Sequence, residues 1–383
     1  MTFALAWLAA SIAGLGILQC LGGLLAARRF ATRQAPAPAM LPPVTVLKPL
    51  CGDEPLLEQA LASCCQQDYQ AFQIVFGVQD PADPALAVVA RLRARFPGCD
   101  ITVVADPTPH GSNRKIANLI NMLPAARHDL LVISDSDLHV APDYLQALVA
   151  ALHRPGVGLV STLYVGLPGG PGWLQRLGAT QISHVFLPGV LLGRAFGRLD
   201  CLGNTMILRR DTLERTGGLA RLSHELADDN VLGQLVRGLG LTVGLAGIVT
   251  AVTVPETTGT AMWQHEIRWA RTIRTLAPAA FAASAIQYPI FWAALSVLLS
   301  RGAPWSVALL AAAWAVRAGA ACGLERILRP LLARRPVPTP HWLLPLRDCL
   351  SILEIVAGFA ADNVVWRGHR LRAKTRLAPR PAE

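Results

Sequence analysis

The first apolar stretch of the chain is long enough to cross a membrane. Residues 3–26 are almost all apolar, and about 20 such residues in a helix span the hydrocarbon core of a bilayer. A cleaved signal peptide would begin with positive charge and have a shorter apolar core, whereas here the basic pair Arg28-Arg29 follows the run. We therefore predict an uncleaved transmembrane anchor over residues 1–28, with its N-terminus outside and the chain continuing in the cytoplasm.

Short apolar runs alternate with longer amphipathic segments between residues 44 and 274. The predicted strands cover residues 44–48, 73–78, 101–104, 130–133 and 157–162, and the predicted helices cover 54–66, 84–96, 113–122 and 142–153. This alternation predicts an α/β domain with a doubly wound, mostly parallel sheet. A Pro-rich segment over residues 29–43 predicts an extended linker between the anchor and this domain. The sequence contains neither a dinucleotide-binding glycine motif nor a P-loop.

A second apolar region, residues 275–366, predicts C-terminal membrane helices. Residues 279–300 and 305–324 predict two spans joined by a tight turn. The third segment, residues 343–365, carries charges that are costly in hydrocarbon, namely Arg347, Asp348, Glu354 and Asp362. The sequence leaves open whether this segment spans the membrane or lies at its surface. A full span would place the basic tail, residues 367–383, on the outer side, against the positive-inside rule.

The composition favours a membrane protein and argues against nucleic-acid binding. Mean hydropathy is +0.40, 52% of residues are hydrophobic and only 16% are charged. The net charge is +10, but the basic residues flank the apolar segments, where attraction to lipid headgroups and control of topology explain them. No nucleic-acid recognition module accompanies the charge. The eight cysteines include no Cys-x-x-Cys pair and predict free thiols in the cytoplasm.

Acidic residues stand where predicted strands end. Asp80 closes the second predicted strand, and Asp135 and Asp137 follow the fourth. The carboxyl ends of parallel strands form the ligand site of an α/β sheet. An Asp-x-Asp pair at that edge can hold Mg²⁺ or Mn²⁺ against a diphosphate, although acidic turn residues would give the same pattern. Asp80 is a candidate for binding the polar groups of a nucleoside, whereas Asp83, before a proline, fits a helix N-cap.

Later segments carry further candidate site residues. Lys115 lies at the polar start of a predicted helix, which suits an anionic ligand, although an ordinary capped helix would look the same. Asp228 and Asp229 at a helix start either complement the helix dipole or supply a general base. Arg268 can contact phosphate and Trp269 can cap an acceptor. An interfacial amphipathic helix would also place Arg and Trp there.

The ordered motifs of the polar domain resemble those of the ceramide glucosyltransferase group of inverting glycosyltransferases. In chain order they are Leu47-Lys48-Pro49-Leu50, Val78-Gln79-Asp80, Gly111 with Asn113, Lys115 and Asn118, Asp135-Ser136, Asp229 and Arg268-Trp269. Within that group the chain looks most like the bacterial hopanoid-biosynthesis-associated glycosyltransferase, on residues 47–55, 135–137 and 265–274. The wider group has Gln or Arg three residues before the Arg-Trp pair, whereas His265 stands here and can donate a hydrogen bond to phosphate instead.

The resemblance implies a GT-A-like nucleotide-diphospho-sugar transferase with a divalent cation, Mg²⁺ or Mn²⁺. Asp80 would contact the uridine, Asp135 and Asp137 would hold the metal and the diphosphate, and Asp229 would be the general base. The substrate-binding positions that it implies are Pro49, Asp80, Lys115, Asp135, His265, Arg268 and Trp269.

The implied reaction is inverting transfer of N-acetylglucosamine from its UDP donor to bacteriohopanetetrol, at the cytoplasmic side of a bacterial inner membrane. A ceramide or other lipid glucosyltransferase is the first alternative. A processive polysaccharide synthase is disfavoured by the small number of predicted spans after the domain. An inactive binding subunit is disfavoured because Asp135, Asp137 and Asp229 are all present.

Two apolar segments within the domain predict contact with the membrane surface. Residues 173–196 and 263–273 are too short or too interrupted to span, and they suit helices in the headgroup region, with Trp173 and Phe186 as anchors. An acceptor that arrives from the bilayer would explain such exposed apolar surface. We therefore expect the acceptor to be a membrane lipid.

Overall fold

The computed structural model describes residues 2–33, 41–332, 338–366 and 369–372. Residues 34–40 of the predicted Pro-rich linker and most of the predicted basic tail lie outside the described residues.

An eight-stranded sheet forms the centre of the polar domain. Its strands are β1 Val44–Pro49, β2 Phe72–Val78, β3 Asp100–Ala105, β4 Leu130–Ser134, β5 Leu138–His139, β6 Val157–Pro168, β7 Thr205–Arg209 and β8 Thr242–Val254. They lie in the order β3-β2-β1-β4-β7-β6-β8-β5. All run in one direction except β5 and β7, which are antiparallel to their neighbours. The predicted doubly wound, mostly parallel sheet is confirmed, with two opposed strands that the sequence pattern did not predict.

Helices cover both faces of this sheet. Those of the domain are α2 Leu57–Cys65, α3 Ala85–Arg95, α4 Arg114–Met122, α5 Tyr144–Leu152, α6 Trp173–Gln181, α7 Leu187–Ala195, α8 Arg210–Arg215, α9 Asp228–Gly238 and α10 Gly259–Leu276, with α1 Thr2–Thr32 before them. Successive strand residues point to opposite faces, so Val46 packs in the core beneath α2, α3 and α5 while Leu47 packs in the core beneath α4 and α9. Because both faces are covered, strands such as β4 are apolar and buried throughout.

The membrane-side helices differ from the predicted segments at the end of α1, within residues 279–300 and at the end of α14. The helix α1 continues to Thr32, beyond the predicted end of the anchor at residue 28, since Arg28 and Arg29 are good helix formers. The predicted span 279–300 is instead α11, a short 3₁₀ turn and α12, whose axes are bent by 69°. The break falls at Pro289, which cannot donate the backbone hydrogen bond that a continuous helix needs there.

The remaining helices are α11 Pro278–Ala283, α12 Pro289–Leu299, α13 Pro304–Leu328 and α14 Leu343–Ala360. Among the described residues, two stretches are long and apolar enough to cross a membrane, Thr2–Thr32 and Pro304–Leu331, and the bent pair would be a third. The predicted helix over 343–365 ends at Ala360, and a small hairpin of β9 Asn363–Trp366 and β10 His369–Arg372 follows it. The expectation of helix up to residue 365 was therefore wrong.

The charges of α14 face inward. Arg347 and Asp348 are fully buried. Asp348 accepts hydrogen bonds from the Arg317 guanidinium at 3.2 Å and from the backbone N–H of Ile290 at 3.1 Å. The opposite face of α14 exposes apolar side chains, including Leu353 and Val356. Charges that would be costly in hydrocarbon thus pair within the protein.

The helical region that follows β6 contains a π turn, Ile182–Phe186, between α6 and α7. Trp173 at the start of α6 is 51% exposed. Phe186 packs inward on Tyr164, with ring centroids 5.0 Å apart, so the expectation that it anchors outward was wrong. The extra residue in the π turn changes which side chains face the sheet, and the apolar pattern alone does not reveal it.

Candidate active site

One large cavity lies at the carboxyl ends of β1, β2 and β4 and beneath α10. Its volume is ≈ 1280 Å³. All the site residues expected from the sequence line it, namely Pro49, Asp80, Lys115, Asp135, Asp137, Asp229, His265, Arg268 and Trp269. The topology brings them together because parallel strands end at one edge of the sheet.

Two lysines fix the loop after β4. Lys115 Nζ lies 2.6 Å from Asp135 Oδ1 and 4.0 Å from Asp228 Oδ2, and it donates to the carbonyl oxygen of Gly203 at 3.4 Å. Burial alone would lower the pKa of Lys115, but the charges of Asp135 and Asp228 raise it above its ordinary value. Lys48, fully buried in β1, donates to the carbonyl oxygen of Asp135 at 2.6 Å. The Asp135 backbone and side chain are therefore each held by an ammonium group.

Asp137 has an unused acceptor in a buried place. Its Oδ1 has no hydrogen-bond partner within the described part of the chain. Burial, followed by the charges of Asp135 and Glu54, raises the pKa of Asp137 to about 8. Ser136, which lies between Asp135 and Asp137, donates from Oγ to Glu54 Oε2 at 3.2 Å. A buried carboxylate oxygen without a donor is costly unless a cation or another donor reaches it.

Asp228 and Asp229 begin α9 but have different surroundings. Asn113 caps α4 and also donates from Nδ2 to Asp228 Oδ1 at 3.3 Å and to the Glu225 carbonyl at 2.8 Å, which ties the starts of α4 and α9 together. The Asp229 carboxylate lies against Gly203, where a Cβ atom would come within 2.8 Å of Oδ2. Burial, followed by the charge of Asp228, raises the pKa of Asp229 to about 7. Asp229 is therefore poised to accept a proton near neutral pH.

The helix α10 closes the cavity on another side. His265 packs edge-to-face on Trp269, with ring centroids 4.8 Å apart, and its Nδ1 is hydrogen-bonded to Glu256. Burial opposes ionisation of Glu256, but the hydrogen bond and charge of His265 lower its pKa below the ordinary value. Arg268 lines the cavity beside them. The histidine thus connects the end of β8 to α10 rather than standing alone.

The first strands contribute a more open rim. Asp80 is exposed, and its Oδ1 accepts from the backbone N–H of Ala82 at 2.9 Å in the turn after β2. Asp83 accepts from the N–H of Gly52 at 3.0 Å and of Ala85 at 2.9 Å. Asp83 therefore braces the loop and the start of α3, although the N-cap residue of this helix is Pro84, and Asp80 lines the cavity.

Comparison with known proteins identifies the family. The model of glycosyl transferase family 21 matches residues 7–377. The chain belongs to this family.

Among curated proteins, this family 21 chain is 25% identical over 210 residues to ceramide glucosyltransferase 1 of Caenorhabditis elegans. The matched segment covers 54% of this chain and 44% of that protein. It is also 26% identical over 241 residues to an N-acetylglucosaminyltransferase of Rhizobium leguminosarum bv. viciae, and this segment covers 61% of this chain and 56% of that protein. The chain thus spans about half the length of these relatives.

A solved structure shares the fold. The mannosyltransferase PcManGT from Pyrobaculum calidifontis, in complex with GDP-Man and Mn²⁺, superposes with a TM-score of 0.56 at 22% identity and covers 94% of this chain and 99% of that one. The family 21 chain therefore has the GT-A type of mixed α/β sheet with apolar helices at both ends.

The residues of this family 21 chain fit a divalent cation. Asp135 and Asp137 offer carboxylate oxygens, the ligand type that Mg²⁺ and Mn²⁺ prefer, and Asp137 Oδ1 lacks a protein donor among the described residues. No group of three or more His, Cys, Asp or Glu side chains in the described ranges forms a ready metal cage. Two protein carboxylates with phosphate and water oxygens are a usual set for Mg²⁺ at a nucleotide.

Sequence reasoning missed several residues of the site. Lys48 lies in an apolar strand, and a lone charge there was a usable signal because buried lysines need a partner. Glu256 follows the end of β8 and meets the same strand-end rule that singled out Asp80. Glu54 and Asn113 lie within the motifs of the resemblance, but their contacts could not be predicted because their partners are distant in the sequence.

Proposed function

We propose that this family 21 glycosyltransferase transfers a sugar from a UDP donor to a hydroxyl of a membrane lipid, with inversion at the anomeric carbon. The observation that carries the proposal is the continuity of one cavity. The cavity wall includes Asp229 and also Gln19 of α1, Val190 of α7 and Ala280 of α11. A carboxylate site that opens among membrane-side helices suits a soluble donor and an acceptor held in the bilayer.

The donor binds at the edge formed by β1, β2 and β4. Asp80 and Pro49 line the side of the cavity where the uridine would bind, and Asp135 and Asp137 would hold a divalent cation, which would supply positive charge against the two phosphates. Lys115 keeps the Asp135 side chain in place, and Arg268 pairs with a phosphate as the helix α10 covers the donor. His265 orients this helix through Glu256 and contacts phosphate from its free face.

Asp229 activates the acceptor. Its carboxylate takes the proton of the lipid hydroxyl as the oxygen attacks the anomeric carbon, and the bond from that carbon to the diphosphate breaks with its electron pair leaving on UDP. Attack opposite the leaving group inverts the configuration. A pKa of about 7 suits this role, because the carboxylate is then both available and basic at neutral pH.

The bilayer supplies the acceptor. The chain is multi-pass, and the basic pair after the apolar part of α1 favours a cytoplasmic catalytic domain in a bacterial inner membrane. The names of the relatives favour glucose or N-acetylglucosamine as the sugar and ceramide as one acceptor. Bacteriohopanetetrol, the acceptor implied by the motif resemblance, remains the preferred candidate of this proposal, with ceramide as the second.

A direct assay separates these candidates. Detergent-solubilised protein is incubated with UDP-glucose or UDP-N-acetylglucosamine, and with ceramide or bacteriohopanetetrol, in the presence of Mg²⁺ or Mn²⁺. Mass spectrometry identifies the glycolipid, and NMR of the product gives its anomeric configuration. A product with the donor's configuration, or efficient transfer to a soluble sugar with no lipid present, would contradict the proposal.

A further inference from the structure

A second cluster of polar side chains lines the same cavity, where α6 and α14 approach α10. Gln181, Glu266, Ser351 and Glu354 face the cavity, and the fully buried Arg347 lies with them. We call these five residues the Arg347 cluster. The sequence analysis gave none of them a role in the site.

Arg347 connects the members of this cluster. Its Nη1 donates to Glu266 Oε1 at 2.7 Å, its Nε donates to Ser351 Oγ at 3.0 Å, and its Nη2 donates to Glu354. Ser351 Oγ donates in turn to Gln181 Oε1 at 3.2 Å. Charge-assisted hydrogen bonds of this kind hold side chains in defined positions, so the cluster is a built feature of the cavity wall.

Glu266 has a carboxylate oxygen that accepts from no N–H or hydroxyl of the described residues. The residue is only 8% exposed and lines the cavity, its Oε2 lacks such a donor, and its carboxyl group shares a hydrogen bond with that of Glu354, whose pKa burial raises. Arg347 supplies one positive charge to two carboxyl groups, Glu266 and Glu354. A buried acceptor of this kind is costly to leave without a donor, and a ligand hydroxyl or N–H would supply one.

The surroundings of the cluster are apolar. Val185, Phe281 and Ile355 line the cavity next to it and pack together in one hydrophobic group. A ligand that satisfies both Glu266 and these residues must carry a hydrogen-bond donor on an apolar body. A sugar nucleotide does not combine these properties, whereas an amphiphilic lipid does.

We propose that Glu266, supported by the rest of the Arg347 cluster, binds a second hydrogen-bond donor of the lipid acceptor. The protein therefore selects lipids that carry a hydroxyl or amide N–H in addition to the hydroxyl that is glycosylated. This inference rests on the proposed function and adds a specificity-determining residue to it.

The test compares matched acceptors and an isosteric variant. Ceramide is paired with N-methyl-3-deoxyceramide, which has neither the 3-hydroxyl nor the amide N–H, and bacteriohopanetetrol with the same hopanoid bearing one terminal hydroxyl. In Glu266→Gln the amide oxygen can still accept from Arg347, while the unused Oε2 acceptor is replaced by an N–H₂ donor. Glu325→Gln is the control, because Glu325 is a glutamate of α13 that is hydrogen-bonded to Thr339 and lies outside this cavity wall.

Glu266→Gln should lower kcat/KM only for the lipid acceptor that carries the second hydrogen-bond donor. Removing the second donor from the lipid should lower kcat/KM of the natural-sequence protein by about 10- to 100-fold, since hydrogen bonds to charged groups are worth that factor. Glu266→Gln should cause a similar loss with the full acceptor, little change with the analogue, and no change in KM for the UDP-sugar. Glu325→Gln should leave the preference between the paired acceptors intact.

Other outcomes would overturn the inference. Equal use of paired acceptors by the natural-sequence protein would show that no second donor is read. An equal loss for both acceptors in Glu266→Gln, with a lowered Tm, would assign the cluster to packing of α10 on α14 alone. If no lipid is glycosylated while a soluble acceptor is, the proposed function itself fails, and the inference fails with it.

Discussion

Replacing Asp229 by asparagine tests the chemistry of the site most directly. Asparagine has nearly the same shape, so its side-chain oxygen can still accept from the N–H of Asn230, which Asp229 Oδ1 does at 2.7 Å, and it can occupy the space beside Gly203. The change removes the negative charge and with it the ability to take a proton. Loss of a general base costs on the order of 10²–10⁴ in rate, which corresponds to about 3–5 kcal/mol in the barrier.

Donor binding should survive this change. Of the expected donor contacts, Asp80 follows β2, Asp135 follows β4 and Lys115 lies in α4, whereas Asp229 lies at the start of α9. We expect kcat to fall by the full factor while the Kd of the UDP-sugar, measured by calorimetry, changes little. A weakened Kd together with an unchanged kcat would instead make Asp229 a donor ligand and refute its assignment as the base.

The neighbouring residue gives a control with its own signature. The charge of Asp228 helps to raise the pKa of Asp229, so Asp228→Asn should lower that pKa. If Asp229 is the base, the reaction needs it ionised, and activity of the unaltered protein should fall as the pH drops below about 7. In Asp228→Asn this acidic limb of the kcat/KM profile should move to lower pH, with a smaller loss of maximal rate. If Asp228→Asn abolished transfer and Asp229→Asn did not, the base would be Asp228.

Three further predictions concern the surroundings of the site. If Asp135 and Asp137 hold the cation as proposed, chelation should abolish turnover, measured as UDP release, and added Mg²⁺ or Mn²⁺ should restore it. Full activity in excess chelator would contradict this. Lys48→Met should leave the buried Asp135 carbonyl without its hydrogen-bond donor. This should lower the free energy of unfolding by about 1–3 kcal/mol and raise KM for the UDP-sugar. An unchanged Tm and KM would show that Lys48 does not hold the loop. Gly203→Ala should push the Asp229 carboxylate away from its position, because the new Cβ would lie 2.8 Å from Oδ2. Steady-state kinetics should then show a larger loss in kcat than increase in KM for the UDP-sugar.

The sequence allowed the local parts of this architecture to be predicted. Strands β1 to β4 were recognisable because buried parallel strands are continuous apolar runs, and Asp80 and Asp135 followed from the ends of two of them. The antiparallel course of β7 was not predictable, since strand direction depends on how the chain returns to the sheet. The bend at Pro289 was missed because overall apolarity dominated the prediction of a span.

Contacts between distant segments account for most of what was missed. Arg347 and Glu266 are 81 positions apart, and nothing in either local pattern indicates that the two side chains meet. The charges of α14 therefore looked like an obstacle to membrane association, whereas they are satisfied within the protein. The π turn before α7 has the same character, because only packing on Tyr164 reveals which way Phe186 points.

The ion pair between Glu266 and Arg347 also limits how early the surroundings of α10 can fold during synthesis of the chain. The helix α10 leaves the ribosome well before α14, so Glu266 first meets an environment in which its guanidinium partner does not yet exist. Only when residue 347 has emerged and α14 has packed against α10 can the two charges pair. A fragment that ends after α10 would contain every carboxylate of the expected donor site and still lack this partner. Packing of the last described helix, α14, thus completes the surroundings of the helix that carries Arg268 and Trp269.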